Sequence, residues 1–178
     1  MPRRSPALVT AAHGPCGLAR SVGVLSDPWS FLILREVFRG RRTFSEFREA
    51  LGIATDVLAA RLQALVDSGV LTRVPYHRPG DRAREAYEPT PAGVDLKLPL
   101  VALMQWGEAH TRGEGSPGTV ITDAAGVSVR AVFTGPAGAH VPVTEVELRP
   151  VRVASAETAD ARADAHGGDA HGGALDAD

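Results

Sequence analysis

The 178-residue chain has room for one compact domain plus additional segments, and 44% hydrophobic with 22% charged residues is a globular composition that excludes a disordered or fibrous chain. The net charge of -2 hides an asymmetry: residues 1–90 carry 13 basic residues, all arginine, against 9 acidic, and residues 91–178 carry 6 against 12, which makes the first half the candidate polyanion binder. A single cysteine, Cys16, excludes an intrachain disulfide framework and a cysteine-built zinc site, and with no apolar run of membrane length a reducing, cytoplasmic setting is expected. Arginine suits planar contacts with phosphate and guanine, although a codon preference for arginine accounts for the composition equally well.

Residues 1–15 lack apolar periodicity and contain Pro, Gly and Ser, so a flexible arm is expected, with order beginning near Cys16. Leu18, Ala19, Val22 and Leu25 then fall at helical spacing, and Asp27-Pro28 breaks the run. Asp27 can cap a second helix with Pro28 at its first position. Trp29, Leu32, Ile33 and Val37 surround that cylinder on most sides, the mark of a central core element, until Gly40 ends it.

In TFSEFREALGI, Thr43 or Ser45 can cap a helix whose stripe is Phe44, Phe47, Ala50 and Leu51, and Gly52 terminates it. A fourth helix opens at Ala54 or Thr55, carries Asp56 at its positive end, aligns Leu58, Leu62, Leu65 and Val66, and closes at Gly69. Two short helices joined around Gly52 fit a helix-turn-helix, and a plain αα-hairpin shares the pattern. Val70–Tyr76 next alternates as a strand, HRPGDRAR makes a tip bearing His77, Arg78, Arg82 and Arg84, and residues 85–88 can return antiparallel. Such a basic hairpin can act as a wing reaching phosphates or a minor groove; a solvated charged loop is the alternative.

Thr90 can cap a last long helix beginning at Pro91, with Leu96, Leu100, Leu103, Met104 and Trp106 near one face. Pro99 lies inside that run and should bend or break it. A long apolar helix at the edge of so small a domain has little to pack against in its own chain, so a second copy is the economical partner.

The motifs D-P-W-S (27–30), T-F-S-E-F (43–47), L-x-x-R-L-x-x-L-x-x-x-G (58–69), Y-x-x-T-P-x-G (87–93) and a terminal W-G (106–107), after a cysteine opening the first helix, resemble the HxlR-type branch of the MarR-like winged-helix regulators. The resemblance covers residues 16–110. It implies transcriptional control, usually repression, and a homodimer held by the first and last helices, which places Leu18, Val22, Leu96, Leu100, Leu103 and Trp106 at the seam. It also implies an oxidant or small-molecule effector in some relatives. For Cys16, a redox sensor and a partly buried thiol packing near the seam both stay open.

Longer relatives append a ribbon with C-G and C-x-x-C-G pairs; here Ala125-Gly126 and residues 134–138 stand in those places, every sulfur ligand is gone, and His140 is the one imidazole donor of the segment. A metal-free β-rich module is therefore expected over 111–150, with strands near 119–122, 127–133 and 143–149. Residues 151–178 are rich in Ala, Gly, Asp and His and are expected to be a disordered acidic tail, in which His166, Asp169 and His171 lack a scaffold for a metal.

The expected architecture is thus mainly α with a β-hairpin wing, a small β-rich extension and a tail. If Leu58, Leu62 and Leu65 face the core, 100° steps put Asp56, Ala59, Ala60 and Gln63 on the opposite side, with Thr55 at the helix entrance. That side is expected to read the major groove of double-stranded DNA: Gln63 can pair bidentately with adenine and an alanine can touch a thymine methyl. Arg42, Thr43, Ser45 and Arg48 are expected on backbone phosphates, as are His77, Arg78, Arg82 and Arg84 of the wing. Arg61 lies on the flank, suited to a phosphate or an internal carboxylate. Without a phosphate-binding loop, a dinucleotide fingerprint, a metalloprotease motif or a nucleophile elbow, neither enzyme activity nor a cofactor is expected. The rival reading is a winged-helix module that binds another protein and holds DNA weakly.

Overall fold

The computed structural model describes residues 14–25, 27–76, 84–111 and 119–150. The expected arm (residues 1–13 of it), the hairpin tip at 77–83 and the expected tail at 151–178 lie outside these residues. Helix α1 (Gly17–Val24) begins after Gly14 and Pro15, whose carbonyls accept hydrogen bonds from Arg20 Nη1 at 2.9 and 2.8 Å. Helix α2 (Pro28–Phe38) starts on Asp27, which accepts from the backbone N–H of Trp29 at 2.9 Å and the Ser30 hydroxyl at 2.9 Å. Pro28 at its first position lacks only a donor that no helical carbonyl could have met.

Helix α3 (Phe44–Leu51) is opened by a capping box: Thr43 Oγ1 accepts from Glu46 N, and Glu46 Oε2 accepts from Thr43 N at 2.8 Å. Gly52 closes it in the left-handed region at φ 59°, a conformation costly for a side chain with a Cβ. Three residues, 52–54, separate it from α4 (Thr55–Asp67), and the middle one, Ile53, is buried and anchors the turn.

Strands β1 (Leu71–Tyr76) and β2 (Arg84–Pro89) pair antiparallel, from Leu71 opposite Pro89 to Tyr76 opposite Arg84. Thr43 bridges to Ala86, and Tyr87 N donates to Arg42 O at 2.7 Å, so the chain entering α3 forms a third edge of the hairpin sheet. The cap of α3 and the hairpin are therefore one hydrogen-bonded unit.

Helix α5 (Pro91–Asp95) and helix α6 (Lys97–His110) follow, separated at Leu96. Thr90 caps α5, accepting from Gly93 N at 3.1 Å while its hydroxyl donates to Gly69 O at 2.6 Å. The core gathers Ile33 and Leu34 of α2, Phe47 of α3, Leu58, Leu62 and Leu65 of α4, Leu71 and Tyr87 of the hairpin and Leu100 of α6. Each such side chain contributes about 1.5–3 kcal/mol by leaving water. Helices α2, α3 and α4 about this core, with the hairpin after α4, make a winged helix-turn-helix.

Beyond α6, residues 119–132 belong to the same compact unit, and residues 133–150 belong to a second one. Of the strands expected at 119–122 and 127–133, the described residues show the bridge of Thr122 to Ser128 and the start of a short strand at Phe133. Asp123 Oδ1 accepts from Ala125 N and Val127 N at 2.9 Å each, which curls the backbone instead of extending it. In the second unit β3 (Phe133–Thr134) pairs with β4 (His140–Val141). The strand expected at 143–149 is absent from the described residues: Pro142 has no N–H to continue β4, and its carbonyl accepts from Glu145 N at 2.9 Å to start a 3-10 turn over Val143–Glu145. Among the described residues no helix is long and apolar enough to cross a membrane.

Candidate nucleic-acid interface

Helix α4 divides cleanly. Leu58, Leu62 and Leu65 have no exposure, whereas Thr55, Asp56, Ala59, Ala60 and Gln63 all lie on the surface. At 1.5 Å per residue the helix is about 20 Å long, and its outward side carries alanines and uncharged or short polar groups, which lets a second surface approach closely. Gln63 is held at both ends: its Nε2 donates to Asp67 Oδ1 at 2.6 Å, and its Oε1 accepts from Arg73 Nη2 of β1. Arg73 Nε lies 3.4 Å from Glu85 Oε2 on β2, so the exposed helix face and the hairpin share a polar chain. Arg73 was not singled out by the sequence; its strand position, ten residues beyond Gln63, gives no sign that the two meet.

Around this face, Thr43 is engaged in the capping box, and Ser45 and Arg48 are exposed on α3. Arg42 pairs with Glu88 of β2. Exposed Arg84 lines a cleft of about 630 Å³ between α3 and the hairpin, together with Thr43, Ser45, Tyr76 and the carboxylates Glu46, Glu49 and Glu85. His77, Arg78 and Arg82 lie outside the described residues.

Arg61 takes the internal partner of its two expected options. Its Nε lies 3.2 Å from Asp27 Oδ2, mostly buried, and so links α4 to the residue that caps α2. The sequence reading missed a second internal site. Glu36 is 1% exposed, and Arg35 Nε donates to its Oε1 at 2.8 Å, Arg39 Nη1 to the same oxygen at 3.0 Å, and Arg41 to Oε2. A lone carboxylate on an otherwise apolar helix, with arginines at -1, +3 and +5, is the signal that could have revealed it. With Arg42 and Arg73, six arginines of the basic half thus pair with carboxylates of the same domain, Arg35, Arg39, Arg41 and Arg61 of them with mostly buried ones.

On α1 and α6, Leu18 is 75% exposed, Leu103 53% and Trp106 60%, and Val22 is also open. Leu96 and Leu100, also expected at the seam, are less open. Leu100 is buried in the core and Leu96 packs against it, because the first turn of α6 leans on α2. Cys16, at the start of α1, is exposed in the single subunit.

The HxlR-like helix-turn-helix profile matches residues 24–114. Uncharacterized HTH-type transcriptional regulators of Mycobacterium tuberculosis and Mycobacterium bovis are 42% identical over 101 residues, which is 56% of this chain and 63% of theirs. The match thus spans less than two thirds of these relatives. A regulator of the same description from Synechocystis is 31% identical over 60% of this chain and 78% of its own. Among solved structures, the candidate transcription factor PA1607 superposes with TM-score 0.68 at 30% identity, over 79% of this chain and 98% of its own. A second, from Pseudomonas aeruginosa, gives 0.55 at 34%, over 80% and 97%. With an exposed helix of small and polar residues beside a two-stranded wing, and a profile match over that same segment, the chain belongs to the HxlR-like helix-turn-helix family of transcriptional regulators.

Proposed function

We propose that the protein represses transcription as a homodimer bound to an inverted-repeat operator in double-stranded DNA, with residues 16–110 as its reading and pairing module. The observation that carries this reading is the surface of α4: apolar leucines inward, and Thr55, Asp56, Ala59, Ala60 and Gln63 outward and exposed among the described residues. A helix of that composition fits the major groove, where Gln63 can read adenine and an alanine can meet a thymine methyl. Ser45 and Arg48 of α3 and Arg84 of the wing flank it as phosphate contacts that position without specifying.

The apolar side chains exposed on α1 and α6 suit a two-fold seam, and two readers related by a dyad would place their helices about 34 Å apart, or a multiple of that, on one duplex. The test is to recover bound fragments genome-wide and to titrate the recovered site over a salt series. An inverted-repeat motif upstream of a gene, with affinity falling steeply with salt, is the expected result. Recovery of no enriched sequence, or binding insensitive to salt, would overturn the proposal in favour of a protein-binding module.

A further inference from the structure

An amide side chain reads adenine only in one orientation: its oxygen must accept from N6–H while its nitrogen donates to N7. A free glutamine can flip, which exchanges the two ends and abolishes the pattern. In this protein the two ends of Gln63 are held by groups of opposite character. Arg73 can only donate and sits on Oε1; Asp67 can only accept and sits on Nε2 at 2.6 Å. The flipped amide would turn N–H toward guanidinium N–H and oxygen toward carboxylate.

Resting on the reading of Gln63 given above, we infer that Arg73 and Asp67 are specificity-positioning residues, which lock the Gln63 amide in the orientation that pairs with adenine. Each amide atom keeps one further valence after these contacts, a lone pair on Oε1 and a hydrogen on Nε2, and these are the two that adenine requires. Guanine presents two acceptors at the same edge and can satisfy only the nitrogen. Asp67 is one helical turn beyond Gln63 and is placed by α4 alone. Arg73 belongs to β1 and is itself held by Glu85 of β2 at 3.4 Å, so the hairpin sets the orientation of a group on the neighbouring helix. Neither residue needs to touch a base.

The experiment measures binding of the full chain to a library randomised across one half-site, for the wild type, Gln63→Ala, Arg73→Met, Asp67→Ala and the double variant Gln63→Ala with Arg73→Met. Arg73→Met and Asp67→Ala are expected to lower discrimination by about tenfold at the same base pair that Gln63→Ala relaxes. In the Gln63→Ala background, Arg73→Met should leave every base preference unchanged, because its effect acts through the missing amide. Arg73 and Asp67 are surface positions, and thermal melts verify that their variants fold. If Arg73→Met weakened all sequences equally, or altered a base pair that Gln63→Ala leaves alone, the inference would be overturned with the reading role of Gln63 intact. If Gln63→Ala itself relaxed no position, that role and the inference would fall together.

Discussion

Gly93 shows how a single position can be legible as a pattern yet opaque as a cause. The motif Y-x-x-T-P-x-G is plain in the sequence, and the glycine within it looks like a helix residue of no special conformation. A Cβ at Gly93 would lie 2.1 Å from the backbone oxygen of Val70, which accepts from Thr90 N at 3.0 Å and cannot retreat without losing that bond. Gly93→Ala is therefore expected to lower unfolding free energy by about 1–3 kcal/mol, read as a fall in urea midpoint at unchanged m-value. Arg61 and Arg48 make a second residue-scale contrast. Sequence spacing left Arg61 between phosphate and carboxylate because its partner, Asp27, comes from another helix. Arg61→Ala is expected to cost about 1–3 kcal/mol of stability by leaving a mostly buried carboxylate short of its charge partner. Arg48→Ala, at an exposed site, should leave stability within about 0.5 kcal/mol and lower the salt slope of DNA binding by about one. A reversal of these two phenotypes would exchange their roles.

At the scale of elements, periodicity and caps located α2, α3 and α4 closely because Asp27-Pro28, the Thr43 and Glu46 box and Gly52 are local signals that act within four residues. The C-terminal strands formed only in part, for the opposite reason. Val127, Val129 and Val132 are exposed, and a strand needs a partner that a valine-rich run cannot supply by itself. The last helix shows an intermediate case. A proline was expected to bend it at position 99, yet the break falls at Leu96, and Pro99 is the third residue of α6. In a first turn the backbone N–H has no intrahelical acceptor, so Pro99 sacrifices no hydrogen bond there. Pro99→Ala is accordingly expected to lower stability by about 0.4–1 kcal/mol, through a freer unfolded chain. A proline straining a helix interior would instead be relieved by about 3 kcal/mol on the same replacement, so the sign of the change in urea midpoint decides between the two accounts.

For the whole molecule, the decisive question is what covers the apolar side chains of α1 and α6. Leu18, Leu103 and Trp106 are each more than half exposed, whereas Leu100 is buried in the subunit's own core and Leu96 packs against it. The sequence showed a helix with apolar residues near one face. It could not divide them between two partners, because α2 and a second copy both select leucine. If the seam forms there, Leu103→Glu would bury a carboxylate against its symmetry mate at the dyad, an unfavourable placement on both sides of the interface at once. We expect Leu103→Glu to sediment as a monomer with helix content unchanged. Its affinity for a single half-site should match that of the wild-type subunit, because α4 and the wing are untouched. Affinity for the full inverted repeat should fall by about two orders of magnitude or more, since the second half-site is no longer reached intramolecularly. A Leu103→Glu protein that stayed dimeric and bound the full operator normally would move the seam away from α6.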